Sequence, residues 1–589
     1  MTDSKVKTIY TNGKIYTVAG DDWEKHPQEA MAVASDGTIL FVGANEEALA
    51  FEDGLPRYAR NDNSVIASVA RQSTGVLDLG GRTVFPGFVD THVHLPGISV
   101  TELYEINLYG LRYKDETLAK IREYTQTHPD DEIYIGHGFS LGIATDSRGP
   151  LKEWLDEIVS DRPMVLNSHD GHTVWMNSKA FEVFGIDEET ELPVGGCMKK
   201  DELTGEPLGT LSDCFDLIVN HPTLTEEQKR ATIGHFQHQM LGWGYTSAML
   251  IAPNFVEIEY LKDFEQTGEL VMRFNLSHEV FEKEDFDGAV SAIDKYNKMF
   301  SDNEKVKATT VKFFADGVVE GLTAFLFEPY LGFEDNPCGL KSGHRSELLW
   351  DEKDFAECFD AAVRKGLQIH VHSIGDAATA ATVSAMRYAA EKNPDADPRN
   401  TITHLQLIRP EEIKAIAELG IIASNQPFWH AKEPDWYVCV EEFPLGEERA
   451  ESAYPLKTCL DAGVILTFSG DFPVAHVNNP FFAIETAVTR NLANEASYGY
   501  PKLSTMDDPL WLRNPAERIP LKSAIEAYTI NGAYQLFRED EIGSLEVGKK
   551  ADFIVLDRNP FDLNPIDISD TEVLMTVIDG QTVLDKEGI

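Results

Sequence analysis

The sequence is poor in positive charge. Its 589 residues include 51 Lys and Arg against 98 Asp and Glu, which gives a formal net charge of −47 at pH 7. Proteins that bind nucleic acids or anionic membranes present clustered Lys and Arg to the phosphate groups. We therefore expect no nucleic-acid partner and no membrane partner, and an acidic surface that keeps the protein dispersed in water.

Long apolar runs and closely spaced cysteines are also lacking. No stretch of about eighteen apolar residues occurs, so no membrane-spanning helix is expected. The six cysteines form no Cys-x-x-Cys pair, and a chain of this length does not need disulfides, so we expect reduced, mostly buried thiols. The polar residues 1–7 are not followed by the apolar core of a signal peptide. Together these absences predict a cytoplasmic protein.

Both ends of the chain show β patterns. Asn12-Gly13, Asp36-Gly37 and Asp579-Gly580 each stand between two β-prone runs. Asn-Gly and Asp-Gly in that position favour tight hairpins, so three hairpins are predicted. Because chain termini often lie close together, we expect residues 1–86 and 536–589 to form one composite β-sandwich.

The central part, residues 87–535, alternates short β-prone runs with longer helical segments. Residues 367–372 precede a predicted helix at 377–393, and residues 401–404 precede another at 410–419. Such alternation predicts an α/β fold with a parallel sheet, and a (β/α)8 TIM-like barrel fits it. We interpret the less regular segment 107–225 as an insertion on the barrel.

The strongest local signal for chemistry is His92-Val93-His94, which ends a predicted strand. Residues two apart on a strand point to the same side, so both imidazoles can reach one cation. His372, His404 and Asp471 also follow strand ends, and these ends meet on one face of a barrel. Four His and one Asp predict a site for one or two divalent cations.

Lys312 lies in the apolar run 311–314, where burying a cation is costly. Its stem could be buried while the amine reaches solvent. Alternatively, an amine with a lowered pKa could react with carbon dioxide and form a carbamate that bridges two metal ions. The residues alone leave both interpretations open.

The sequence resembles the amidohydrolase superfamily, and within it the amidohydrolase family 3 that includes N-substituted formamide deformylases. The resemblance covers nearly the whole chain and rests on the number and order of the motifs. They are TNGKIYTV at 11–18, PGFVDTHVH at 86–94, DGHTVWMNSKA at 170–180, VKFFADG at 311–317, HSIGDAA at 372–378, THLQLI at 403–408, NQPFW at 425–429, FSGDFPV at 468–474 and GSLEVGKKADFIVLD at 543–557.

This resemblance implies a metal-dependent hydrolase of carbon–nitrogen bonds. A site with so many histidines favours Zn²⁺, with iron and manganese as alternatives. The resemblance implies a first metal held by His92 and His94, a second held by His372 and His404, an N6-carboxylated Lys312 between them, and Asp471 beside the first metal and the nucleophile. His370 stands two positions before the matching His372. We interpret His370 as a packed barrel histidine.

The mechanism that follows from these parts uses Asp471 as a proton carrier. A bound cation makes water acidic near neutral pH, and Asp471 would take that proton and pass it to the leaving nitrogen. His172 is the candidate donor to the oxyanion or a substrate contact. Asp170, Trp429 and Arg449 are candidate substrate-binding residues, although a structural role is the alternative for Trp429 and Arg449.

The substrate is expected to be a small molecule whose identity the sequence leaves open. The favoured bond is an amide or N-formyl group, and the same chemistry could cleave an ester, a lactam or a carbamate. A non-catalytic scaffold or regulatory relative is the alternative from another class. A homodimer is expected because closed symmetric assemblies are common.

Overall fold

The computed structural model describes most of the chain. The described residues are 6–51, 75–144, 148–169, 171, 173–193, 197–201, 203–212, 214, 217–218, 224–319, 321–331, 343–433, 437–493 and 501–589. No helix among them is long and apolar enough to cross a membrane. Cys214, Cys358 and Cys459 are buried free thiols, as expected.

Eight parallel strands form a barrel at the centre of the molecule, and they pair with one another in chain order. Backbone hydrogen bonds at the ends of the first and eighth strands close the barrel. Asp471 N donates to His92 O at 3.1 Å, and His94 N donates to Phe472 O at 2.8 Å. The predicted (β/α)8 barrel is confirmed. Its strands are Phe88–Val93, Tyr245–Leu250, Arg273–Glu279, Val306–Phe314, Gln368–Ser373, Thr401–His404, Ile422–Asn425 and Leu466–Phe468.

Amphipathic helices cover the outside of the barrel. In the helix Glu352–Arg364, Phe355, Phe359 and Ala362 recur at helical spacing and are buried. Asp351 caps that helix by accepting hydrogen bonds from the first free N–H groups. The other α-helices between the first and eighth strands and after them include Glu226–Gly242, Phe255–Thr267, Phe286–Met299, Asp376–Lys392, Pro410–Glu418, Leu456–Asp461, Pro480–Thr489, Leu521–Tyr528 and Ile530–Gln535.

Two further sheets, built from both ends of the chain, pack on each other around a separate apolar core. That core includes Ile15, Val33, Val84 and Phe553. The composite β-sandwich expected from the termini is therefore confirmed. One sheet has the order Ile39–Gly43, Ala30–Ala34, Val6–Thr11, Gly75–Asp78, and the other has the order Lys14–Ile15, Thr83–Pro86, Phe553–Leu556, Val573–Ile578, Gln581–Asp585.

Two of the three predicted hairpins are confirmed, at Asp36-Gly37 and at Asp579-Gly580. The hairpin at Asn12-Gly13 is wrong. The strands before and after it belong to different sheets, so the chain crosses from one layer of the sandwich to the other at this point. Local turn chemistry permitted a hairpin, but pairing with the distant strands Ala30–Ala34 and Thr83–Pro86 prevailed.

The segment between the first and second barrel strands carries a sheet of its own. The buried side chains Phe139, Leu166 and Trp175 form the core on one face of this sheet. The segment therefore has an apolar core of its own. The strand order is Cys197–Lys200, Pro207–Ser212, Thr173–Met176, Met164–Ser168, Tyr134–Phe139, Ile106–Asn107, and the helices are Ser99–Tyr104, Lys114–Thr127, Lys152–Asp156 and Ser178–Phe184.

A buried ion pair ties the barrel to the sandwich. Arg273 of the third barrel strand donates from Nε to Asp552 Oδ2 at 2.9 Å and from Nη2 to Asp552 Oδ1 at 3.1 Å. Its Nη2 also donates to Asp579. Burial raises the pKa of Asp552, although Arg273 opposes this shift. Arg273 therefore stabilises the ionised form of Asp552.

Arg273→Met is expected to destabilise the protein by about 3–5 kcal/mol, because it leaves the buried Asp552 carboxylate without a cation. Urea unfolding followed by circular dichroism measures this loss. The matched control is Lys457→Met, which removes the cation of the exposed pair with Asp461 and should change stability little. Equal losses in the two variants would contradict a dominant role for the buried pair.

Candidate metal centre

Three buried side chains from different barrel strands converge at the carboxyl-terminal end of the barrel. One ligand atom each from His92, His404 and Asp471 lies within 4.8 Å of the others. His92 Nε2 is 3.3 Å from Asp471 Oδ1 and His94 Nε2 is 3.2 Å from the same oxygen. The side chain of His94 is 40% exposed, so it faces the mouth of the site.

His372 and Lys312 complete the predicted cluster. The ring of His372 lies 4.6 Å from that of His404, measured between centroids. Lys312 is 1% exposed, and its amine makes no hydrogen bond or ion pair with the described residues. Burial lowers the pKa of this amine to about 7. The structure therefore brings together all six residues that the sequence predicted as ligands.

A glutamine orients His404. Gln426 Oε1 lies 2.8 Å from His404 Nδ1, and an amide oxygen can only accept, so Nδ1 carries the proton. Gln426 Nε2 in turn donates to Thr403 Oγ1 at 3.1 Å and to Ser469 Oγ at 2.7 Å. This fixes the amide orientation and leaves His404 Nε2, the nitrogen nearest Asp471, free to bind a cation.

Hydrogen bonds also orient His372 and His92. His372 Nε2 lies 3.1 Å from the carbonyl oxygen of Gly317, so Nε2 carries the proton and Nδ1 is free. His92 Nδ1 and His370 Nε2 share a hydrogen bond of 2.9 Å, and His92 Nε2 is the ring nitrogen that faces Asp471. His370 is thus a buried barrel histidine, as expected, but it also orients a predicted ligand.

A buried carboxylate holds the backbone of the first strand end. Asp90 accepts from His92 N at 3.0 Å and from Asn478 Nδ2 at 2.7 Å. Burial raises the pKa of Asp90 to about 7, although these hydrogen bonds oppose the shift. Asp90 therefore acts on the position of His92 through the backbone.

The backbone is strained where two of the predicted ligands emerge. His404 has φ of 75° and Asp471 has φ of 50°, both in the left-handed region. Such conformations cost on the order of 1–3 kcal/mol at a residue other than glycine and persist where the surrounding structure enforces them. In these conformations the side chains of His404 and Asp471 point toward one another.

The donors present fit a divalent cation. Asp471 Oδ1 is buried without a hydrogen-bond partner, although three imidazoles surround it. Burial alone would raise the pKa of Asp471, but His94, His404 and Lys312 outweigh burial and lower it to about 2. Burial lowers the pKa of His404 to about 4 and that of His92 well below its usual value. Neutral imidazoles around an ionised carboxylate are the donors that zinc prefers.

The predicted substrate-binding residues lie in different surroundings. The ring of Trp429 stacks on His404 with 6.0 Å between centroids, so it lines the site. The guanidinium of Arg449 donates to the carbonyl oxygens of Leu445, Glu328 and Pro329, which is a structural arrangement. Asp170 and His172 lie outside the described residues.

Sequence reasoning assigned no role to Gln426. The residue falls in the motif NQPFW at 425–429, directly after the seventh barrel strand, and that position is a usable signal. A polar residue at a strand end of a barrel lies near the catalytic face. Its partner His404 stands 22 residues earlier in the chain, so only the fold shows the contact.

Gln426→Leu is expected to weaken zinc binding by roughly 10–100-fold, because His404 loses the partner that fixes its tautomer. Competition with a chromogenic chelator measures the affinity. The matched control is Gln237→Leu, since Gln237 is also buried but bonds to the backbone at Val271 and Glu269. The control should lose stability and keep its zinc affinity. An unchanged affinity in Gln426→Leu would refute the orienting role.

Comparison with known proteins places the chain in a family. The amidohydrolase family matches residues 75–584. YtcJ of Bacillus subtilis, named as an amidohydrolase, is 28% identical over 564 residues, with 93% of this chain and 98% of YtcJ covered. The N-substituted formamide deformylase of Arthrobacter pascens is 24% identical over 536 residues, with 89% of this chain and 92% of the deformylase covered.

A solved structure has the same architecture. It is an uncharacterised metal-dependent hydrolase from Pyrococcus furiosus, with 25% sequence identity and a TM-score of 0.65. The similarity covers 95% of this chain and 99% of that one. The chain therefore belongs to the amidohydrolase family of metal-dependent hydrolases.

Proposed function

We propose that this protein hydrolyses a carbon–nitrogen bond, an amide or N-formyl group, in a small molecule. The observation that carries the proposal is the buried, unpartnered Asp471 oxygen with His92 Nε2 at 3.3 Å and His94 Nε2 at 3.2 Å. The name of the Arthrobacter pascens relative supports the N-formyl class. Family membership alone leaves the bond open, because one fold hosts many reactions.

The predicted ligands would divide between two ions. His92, His94 and Asp471 would hold one ion, and His372 and His404 would hold a second. A mixed nitrogen and oxygen donor set favours Zn²⁺. A divalent ion in this position supplies a Lewis acid and makes water acidic near neutral pH.

Asp471 would carry the proton. Its pKa of about 2 keeps the carboxylate ionised at neutral pH, so Oδ1 can accept a proton from water. The carboxylic acid so formed would then give the proton to the basic nitrogen that leaves. The strained backbone at Asp471 holds Oδ1 beside His92 and His94 during both transfers.

Lys312 would be N6-carboxylated. Only a neutral amine attacks carbon dioxide, and burial lowers the pKa of Lys312 to about 7, so a large share of the amine is neutral at pH 7. The nitrogen–carbon bond forms as one proton leaves the nitrogen, and the product is an anion. That anion would lie among neutral imidazoles, where two cations can share it.

Asp471→Asn is expected to lower kcat by about 10²–10⁴-fold, because the amide cannot carry the proton. Most of the metal should stay bound. The assay is a panel of N-formyl, N-acyl and lactam compounds on the metal-loaded protein, with metal content measured by elemental analysis. Asp461→Asn, at an exposed position, is the matched control. Wild-type turnover in Asp471→Asn would overturn the proton-carrier role.

Lys312→Ala is expected to lower metal occupancy, and a short carboxylate such as propionate should partly restore it, because the acid can occupy the place of the carbamate. Elemental analysis after dialysis measures occupancy. Lys307→Ala is the control, since Lys307 belongs to the same strand but is only half-buried. Full occupancy in Lys312→Ala without added acid would show that Lys312 is an ordinary buried amine.

A further inference from the structure

The side chain of Asp316 joins two strand ends at the carboxyl-terminal end of the barrel. Asp316 follows the fourth strand, is 1% exposed and accepts three backbone hydrogen bonds. Ile374 N donates to Oδ1 at 3.0 Å, and Gly375 N donates to Oδ2 at 2.8 Å. Phe325 N also donates to Oδ2 at 2.8 Å. One carboxylate therefore ties the loop after the fourth strand to the turn after the fifth.

The same two strand ends meet at His372, a predicted ligand. Ala315 N donates to His372 O at 2.9 Å, and His372 Nε2 lies 3.1 Å from the carbonyl oxygen of Gly317. Gly317 N in turn donates to Thr323 O at 3.2 Å. The carbonyl that receives the His372 proton thus belongs to the residue after Asp316. Because Asp316 is bonded to the turn that follows His372, it fixes where this carbonyl lies relative to the ring.

Close packing reinforces this arrangement. A Cβ at Gly375 would lie 2.0 Å from Phe325 O, so only a glycine admits the loop so close to the turn. Ala378 N donates to the same Phe325 oxygen at 3.2 Å. The loop therefore packs on the start of the helix Asp376–Lys392, and the Asp316 carboxylate bonds to both of them.

The position of the Gly317 carbonyl decides which nitrogen of His372 is free. A carbonyl oxygen can only accept, so the proton stays on Nε2 and Nδ1 can bind a cation. If the carbonyl is displaced, the two neutral tautomers of the ring compete. Groups that orient a metal-binding histidine in this way are worth roughly 10–100-fold in metal affinity.

We propose that Asp316 is a positioning residue for His372. It holds the Gly317 carbonyl against Nε2, so that His372 offers Nδ1 to a divalent cation. The inference deepens the proposed function and rests on it for the assignment of His372 as a ligand of the second ion. Both Asp316 oxygens accept from backbone N–H groups, so Asp316 acts through the loop.

The first test reads the tautomer in full-length protein freed of metal by a chelator. Histidine labelled with ¹⁵N and long-range proton–nitrogen NMR at pH 8, where imidazole is neutral, show which ring nitrogen carries the proton. The spectrum of His372→Gln identifies the signal. We expect Nε2–H in the wild-type protein. Asp316→Asn should give a mixture of the two tautomers, because one amide oxygen cannot accept from all three N–H groups.

Glu485→Gln is the matched control for this substitution. Glu485 is also a buried carboxylate, at 1% exposure, and it accepts from Ser569 N at 2.7 Å. It belongs to the helix Pro480–Thr489 and makes no contact with the loop of Asp316 that would reach His372. The control should therefore keep Nε2–H on His372.

Zinc affinity, measured by competition with a chromogenic chelator, is the second test. Asp316→Asn should weaken one of two zinc equivalents by roughly 10–100-fold and leave the other unchanged. In a His372→Ala background the same substitution should have no further effect on zinc, because Asp316 acts through His372. Gly375→Ala should weaken the same equivalent, since its Cβ displaces the loop. Gly288→Ala, where a Cβ meets nothing within 4 Å, should not.

Nδ1–H on His372 in the wild-type protein would overturn the proposal. An Asp316→Asn variant that loses stability but keeps Nε2–H and both zinc affinities would show that Asp316 is purely structural, which also contradicts it. A single zinc equivalent in the wild-type protein would count against the second ion of the proposed function, and the His372 tautomer would still decide the role of Asp316.

Discussion

A buried carboxylate with one oxygen left without a hydrogen-bond partner is the constraint on which the site depends. Asp471 is 7% exposed, and one of its oxygens has no hydrogen-bond partner. An ion in that position is stable only when cations or hydrogen-bond donors face it. Burial lowers the pKa of His92, of His404 and of the Lys312 amine. A divalent cation would supply the missing charge and use the free nitrogens at the same time.

The barrel makes this arrangement by bringing distant parts of the chain to one end. Different strands supply the ligands and the groups that orient them: Gln426 follows the seventh strand and orients His404 of the sixth, and His370 of the fifth strand orients His92 of the first. The Gln426 contact fixes the proton on His404 Nδ1, and the His370 contact fixes the direction of the His92 ring. The free nitrogens and the strained Asp471 therefore face one point before any ion binds.

The fold could be predicted from the sequence because it rests on local patterns, and the structure brings the six predicted ligands to one end of the barrel. Strand–helix alternation predicts the barrel, and helices predicted at 377–393 and 410–419 are observed at Asp376–Lys392 and Pro410–Glu418. The hairpin at Asn12-Gly13 was wrong because sheet partners far away in sequence decide where a strand pairs. Gln426 received no role for a similar reason, since it acts through a contact with His404 of another strand. Arg449 was a candidate for substrate binding with a structural role as the alternative, and its three carbonyl partners favour the structural role.

The most direct measurement is a crystal structure of the zinc-loaded protein with anomalous scattering recorded on both sides of the zinc absorption edge. Anomalous density is expected between Nε2 of His92, Nε2 of His94 and the Asp471 carboxylate, at distances of about 2.0–2.2 Å from the donor atoms. Zinc bound elsewhere on the acidic surface, with these side chains left as a hydrogen-bonded cluster, would contradict a metal centre at this end of the barrel.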